Sequence, residues 1–214
     1  MTLLSTPALF LLLPLLAHSE VLDRIAVTIG SQVITESDLI RELRVDAFLD
    51  RKPVDLSPEA KRKAAERLVD QILILQEAEE SHVTLAPPED AAKMVEEEES
   101  KFASEDEYHA ALAKYQITEK DLSEHLLDGL RELRFTDLRF RPVVQLSDAD
   151  VRAYYDRMAA GWRNAGRSSI PTFEESRAQI EQLLGEQRTM AALDQWLEGT
   201  RASKQIRYRD DVFK

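Results

Sequence analysis

A mostly α-helical fold, with a small β-sheet built from both ends of the chain, is what this sequence predicts. Three observations carry that expectation. Apolar residues recur at three- and four-residue spacing through the middle of the chain, in runs opened by a Ser or Thr followed by acids. Two short segments alternate apolar with polar residues, one near the beginning and one at the end. Charged residues make up 32% and aromatics 7%, the balance of helices with long solvated faces.

Val21–Ile29 (VLDRIAVTI) sets Ile25, Val27 and Ile29 in alternation with Ala26 and Thr28, the period of a strand. Gly30-Ser31 reads as a two-residue hairpin turn, because glycine accepts the positive φ that its first central position needs. Val33-Ile34 then make a short return strand. Thr35-Glu36-Ser37-Asp38 has the form of a capping box with a shorter acid in the last place, and opens a helix to about Phe48. Arg51–Leu56 contains Pro53 and is a loop. Ser57-Pro58 starts a helix toward His82 with proline in its first turn. Its stripe is Ala65, Leu68, Val69, Ile72 and Leu75, and Ile72–Leu75 is apolar all round, which places this helix in the middle of the core.

Pro87-Pro88 break the chain and begin an acidic helix from Glu89 to about Phe102. Ser104–Glu107 is a full capping box ahead of a short helix to about Tyr115. Thr118 caps a helix with Leu122, Leu126, Leu130 and Leu133 on one face, which stops before Pro142. Ser147–Asp150 starts another, carrying Val151, Tyr154, Tyr155 and Met158. Ala159–Ile170 (AAGWRNAGRSSI) is polar, holds two glycines and reads as a linker. From Pro171-Thr172 a long helix presents Ile180, Leu183, Leu184, Met190, Leu193 and Leu197. Ile206–Arg209 alternates again and is expected to join the N-terminal hairpin, since two strands alone are marginal in water. Residues 171–214 are thereby expected to pack back on residues 20–158.

The balance of 28 Lys and Arg against 40 Asp and Glu, a net charge of −12, disfavours a nucleic-acid binder, which displaces counterions with a basic footprint. It equally disfavours adhesion to anionic lipid. The absence of cysteine excludes disulfides, thiolate metal sites, cysteine nucleophiles and an N-terminal lipidated cysteine. Six glycines leave little material for phosphate loops or a many-stranded barrel. Residues 1–19 carry no charged side chain, and Pro7–Ala17 is an apolar run of 11 residues. A bilayer span needs about 20 residues, so the run suits the hydrophobic part of a secretory signal instead. Ala17 and Ser19 supply small residues for a cut before Glu20, although no Lys or Arg precedes the run. The mature chain is therefore expected to be periplasmic or otherwise exported, with no stable membrane insertion.

Export signal, Asp23-Arg24-Ile25-Ala26-Val27-Thr28-Ile29-Gly30 and Val33-Ile34-Thr35-Glu36-Ser37-Asp38-Leu39 together resemble the opening of SurA-type periplasmic chaperones. Arg67–Ala78 (RLVDQILILQEA) resembles that family's next helix, and Leu146–Tyr155 (LSDADVRAYY) the segment leading into its isomerase domain. The likeness covers nearly all of residues 21–158, and the last helix and strand resemble the family's C-terminal return. It rests on the order of several motifs, none diagnostic alone. The resemblance implies a helical chaperone core that handles unfolded exported and outer-membrane polypeptides. It also implies one or two parvulin-type peptidyl-prolyl isomerase domains of about ninety residues, where this chain offers only Ala159–Ile170. An independent domain runs to about 50 residues or more, so the isomerase and its catalytic positions are expected to be missing.

No constellation points to catalysis, to a cofactor or to a metal. Asp121 and His125 stand at i, i+4, but without a second nearby histidine they read as a solvated helix surface. Glu96–Glu99 lack the spacing and glycine of a calcium loop, and read as a solvated acidic helix. Tyr154, Tyr155 and Trp162, at the boundary of helix and linker, have two readings. They pack in the core or linker, or they are contact residues for an extended client. The function expected from this set is transient binding of unfolded exported polypeptides through apolar surface, without a covalent step. An isomerase-related protein and a subunit holding one folded partner are the alternatives, with a homodimer formed by exchange of the C-terminal helix as a further expectation.

Overall fold

The computed structural model describes residues 23–214, so the expected export signal and its cleavage site lie outside the described residues. Strands β1 (Ile25–Ile29) and β2 (Gln32–Thr35) form the expected hairpin, with Gly30 at φ 56° in the turn. Strand β3 (Ile206–Tyr208) pairs antiparallel with the other edge of β1, giving the order β2-β1-β3. The chain's end is fastened there by the Arg209 amide donating to the Ala26 carbonyl at 2.8 Å, and by Val212 buried beneath the sheet. One feature departs from simple alternation. Ile25 pairs with Thr35 and Val27 with Ile34, so Ala26 is an extra residue, a β-bulge. The bulge shifts the phase: Ala26 and Val27 are both buried, and Ile25 is 42% exposed rather than in the core.

Seven helices follow: α1 (Glu36–Asp50), α2 (Pro58–Glu80), α3 (Pro88–Glu99), α4 (Glu105–Tyr115), α5 (Glu119–Arg139), α6 (Asp148–Asn164) and α7 (Phe173–Ser203). Reciprocal capping boxes start four of them, at Thr35/Asp38, Thr118/Asp121, Ser147/Asp150 and Thr172/Glu175. Ser104 makes only half of the expected box: its hydroxyl accepts from the Glu107 amide. Pro58 stands at the start of α2 behind the Ser57 cap.

Two apolar clusters hold these elements. The larger joins Val27, Ile29 and Ile34 of the sheet with Leu39, Val69, Leu73, Phe135, Leu193 and Leu197. Trp196 of α7 closes over it, its ring 5.5 Å from Phe135 and 6.0 Å from Phe140. The second joins Val45 and Phe48 with Val95, Tyr108, Leu112, Ile117 and Leu122. Helices α1 and α5 each give one end to each cluster and so weld the two together.

Several expected stripes turn out rotated. On α2 the buried line is Ala65, Val69 and Leu73 with Ile74 and Ala78, while Leu68, Ile72 and Leu75 are only half-buried. This helix packs against α1, α5, α7 and the sheet together, and the resulting line follows neighbours that periodicity cannot specify. On α5, Leu133 is 57% exposed and Phe135 takes the core place instead. The acidic helix α3 is not wholly solvated. Glu98 is 5% exposed and paired with Arg51, whose guanidinium lies 4.8 Å from the Phe48 ring centre and 4.5 Å from that of Phe102.

The stretch expected as a linker from Ala159 is corrected: α6 runs on to Asn164, carrying Gly161 and Trp162 inside it. Glycine within a helix costs about 1 kcal/mol relative to alanine, which packing tolerates. The stop is Gly166, at φ 70°, with the Gly166 and Arg167 amides returning to the carbonyls of Arg163 and Trp162 at 3.0 and 3.1 Å. That is a left-handed glycine cap, and only Ala165–Thr172 connects α6 to α7.

Candidate functional site

Helix α6 and the first half of α7 make an antiparallel hairpin that stands apart from both apolar clusters. Its seam buries Val151 and Ala159 of α6 against Ser176 and Ile180 of α7, none of which belongs to either cluster. Polar bonds fix its base: Arg177 pairs with Asp148 at 2.5 Å, and Arg188 with Asp150 at 2.8 Å.

Tyr154, Met158 and Trp162 fall at i, i+4 and i+8 on α6 and so form one stripe beside the seam. They line a groove of about 410 Å³ whose other wall is α7, through Gln179, Leu183 and Glu186, with Pro171 at one end. Each of the three is half-buried, with part of its surface open to solvent. Arginines border the α6 side: Arg157 lies 5.6 Å from the Tyr154 ring centre and Arg167 5.5 Å from that of Trp162.

Of the three aromatics singled out in the sequence, the structure brings Tyr154 and Trp162 into this groove and places Tyr155 elsewhere. The Tyr155 hydroxyl donates to the Pro171 carbonyl at 2.8 Å, and its ring meets Phe173 edge-on at 5.6 Å. It pins the returning chain to α6. Sequence reading missed Met158 and Leu183 as groove residues: Met158 stood only as one of the apolar residues of its helix, and Leu183 was expected on a buried face. The available signal was Gly166: a helix that continues to a glycine stop carries the stripe from Tyr154 to Trp162.

A second cluster lies where α1, α2 and α5 meet. His125 is not on a solvated surface beside Asp121: its Nδ1 is 3.0 Å from a Glu42 carboxylate oxygen, and its Nε2 is 3.9 Å from Asp46. Asp121 instead caps α5 through the Thr118 amide and hydroxyl. Arg67 reaches both carboxylates, at 3.6 Å from Glu42 and in a close pair with Asp46. Burial pushes the Glu42 carboxyl up, but the hydrogen bond from His125 and the charges of His125 and Arg67 outweigh it and hold it below its ordinary value. Burial likewise pulls His125 down, and the Glu42 bond with the two carboxylate charges outweighs that and raises it. Asp46 is raised, chiefly by its own burial.

The donor atoms of Glu42, Asp46 and His125 lie within 4.8 Å of one another, a set of the kind that binds divalent ions. Arg67 already supplies the cationic partner, and with His125 protonated the four charges cancel. The cluster is a closed ionic knot, and a metal would have to expel the guanidinium.

No helix among the described residues is long and apolar enough to cross a membrane. No protein-family model matches the chain, and no curated protein matches it.

Proposed function

We propose that this protein is an exported, SurA-type chaperone core that transiently binds unfolded exported or outer-membrane polypeptides, without catalysis or cofactor. The observation that carries the reading is the α6–α7 groove: an aromatic and thioether stripe left half open on a two-helix arm, outside both packed cores. Large apolar side chains kept at a surface are costly unless something covers them, and contiguous ones mark binding surfaces. Tyr and Trp give wide contact at low entropic cost, and methionine adapts to varied shapes. The net charge of −12 keeps the protein soluble while the groove is open. An isomerase domain would enter between α6 and α7 in the resembled family, and Ala165–Thr172 is far too short to hold one.

The test is suppression of aggregation of an unrelated unfolded exported protein by residues 20–214, compared with the Tyr154→Ser/Trp162→Ser variant. The double variant should lose most of the suppression and keep the helical signal and melting temperature. Salt should change the activity little, since apolar contact is not screened. Full activity in the double variant, or activity abolished by moderate salt, would count against the groove as the client site. A pull-down returning one stoichiometric folded partner would favour the dedicated interaction subunit, because a groove between two helices also receives an amphipathic third.

A further inference from the structure

Between the two apolar clusters the seam of α1 and α5 is polar. Leu39 and Leu43 of α1 belong to the larger cluster and Val45 and Phe48 to the second, while α5 gives Leu122 to the second and Phe135 to the larger. At the crossing stand Glu42 and Asp46 of α1 and His125 of α5, with Arg67 arriving from α2. The contact of His125 with Glu42 is the only side-chain hydrogen bond between α1 and α5 among the described residues. Beside it lies a cleft of about 190 Å³, floored by Val45 of α1, Leu68 and Ile72 of α2, and Val33 and Ile34 of β2.

We propose that His125 is a proton-operated latch on this cleft: the protonated ring holds α5 against α1, and loss of its proton lets the cleft open. Protonated, His125 and Arg67 balance the carboxylates of Glu42 and Asp46. Deprotonated, the ring can still donate to Glu42, but two carboxylates then share one guanidinium, in a place where Glu42 is only 8% exposed. Like charges so poorly hydrated repel, and parting the helices brings water to them.

The other charges around the cleft are already engaged. Asp38 and Arg41 of α1 pair with each other, and Asp121 caps α5. Glu124 lies 3.5 Å from Lys120, and Asp128 3.4 Å from Arg131. From α2 the charge beside the ring is Arg67, and β2 carries none. Histidine is the one side chain here whose ordinary value lies near neutrality. Burial pulls His125 down, and the Glu42 bond with the Glu42 and Asp46 charges outweighs that. The closed cleft thus holds the proton more tightly than the open one, and rising pH favours opening. The latch does not rest on the chaperone reading.

The chain has no cysteine, so a single introduced thiol can report on the cleft. Val45→Cys puts one on the cleft floor, and Leu193→Cys puts one in the main core. Labelling of residues 20–214 by a neutral maleimide, divided at each pH by the rate for the same variant unfolded in urea, reads how often each site opens. Val45→Cys should open at least about a hundredfold more often than Leu193→Cys, which needs the body to unfold. Its opening should rise by up to about tenfold per pH unit above pH 6.5 and level off at the folded value of His125. Adding His125→Gln should hold the opening near its alkaline level at every pH, whereas Arg41→Gln should leave the slope intact. Equal labelling of the two sites overturns the latch, because global unfolding is then the only opening. A Val45→Cys rate flat with pH overturns it too, as does a slope that survives His125→Gln. Where His125→Gln does not fold, NMR titration of the wild-type ring decides. The pH at which labelling levels off must match the ring's own midpoint, and a mismatch overturns the latch.

Discussion

The packed body and the α6–α7 arm are built from helices of the same kind, opened by the same Ser/Thr caps, yet they bury very different material. In the body, Phe48, Phe135 and Tyr108 are wholly enclosed, and aromatic rings interlock across elements. In the arm the enclosed residues are Val151, Ala159, Ser176 and Ile180, while Tyr154, Met158, Trp162 and Leu183 remain in contact with solvent. Capping and periodicity suffice to make a helix; they do not decide which of its apolar residues are spent on stability. In the arm Val151, Ala159, Ser176 and Ile180 close the seam, and the larger aromatic and thioether side chains stay half open to solvent.

The largest expected effect comes from removing what ties the arm to the body. Ending the chain after Met158 deletes Leu193, Trp196, Leu197, β3 and Val212 from the main cluster, together with the Arg201–Asp70 ion pair. Cooperative unfolding followed by circular dichroism should be lost. A melt as sharp as that of the whole protein would make the C-terminal segment an appendage. A finer comparison sets one residue of each region against the other. Phe135→Ala should cost about 3–5 kcal/mol in urea denaturation, and Met158→Ala less than about 1 kcal/mol. Equal losses would erase the distinction between core and groove.

A third measurement concerns the ionic knot inside the body. His125 is raised above 6.5, so its contribution is fully present below that pH and is lost as pH rises through its folded value. Glu42 is lowered below 4.5, so its contribution is present above 4.5 and is lost as pH falls through its folded value. Stability from this pair should therefore be greatest between these two limits. His125→Gln should cost about 1–3 kcal/mol at pH 6 and flatten the decline toward alkaline pH. An unaltered pH profile in that variant would show that the pair does not couple to folding. The smallest effect is local. His82 ends α2 in the left-handed region at φ 52°, where a side chain is strained, and His82→Gly should stabilise by about 0.5–1 kcal/mol. A destabilised glycine variant would mean that the imidazole holds the turn by contact.

Legibility followed the range of the forces involved. Thr35, Ser57, Thr118, Ser147 and Thr172 announce their helices because a cap bonds to an amide two or three residues away. Gly30 announces the hairpin for a similar reason. Ile25, Leu133 and Met190 were misplaced on buried faces because burial depends on what lies opposite. A bulge at Ala26 turned the first outward; the second faces away from the cluster that took Phe135; Met190 is 49% exposed although it stands less than one turn from buried Leu193. His125 was paired with Asp121 by spacing alone, whereas its partner Glu42 is 83 positions distant. The groove was half legible: Tyr154 and Trp162 stood out as aromatics beside a supposed linker, and the linker proved to be helix as far as Gly166.

The sequence by itself determined the helices, their starts, the hairpin and the alternation of the last strand, because these follow from local hydrogen bonds and from apolar periodicity. Only the tertiary structure decided that the body holds two cores welded by α1 and α5, that half-buried His125 of α5 meets two carboxylates of α1, and that Tyr154 and Trp162 share an open groove while Tyr155 does not. Each of these depends on side chains far apart in the chain arriving at one place. Close packing, which acts through space and ignores sequence separation, is what brings them there.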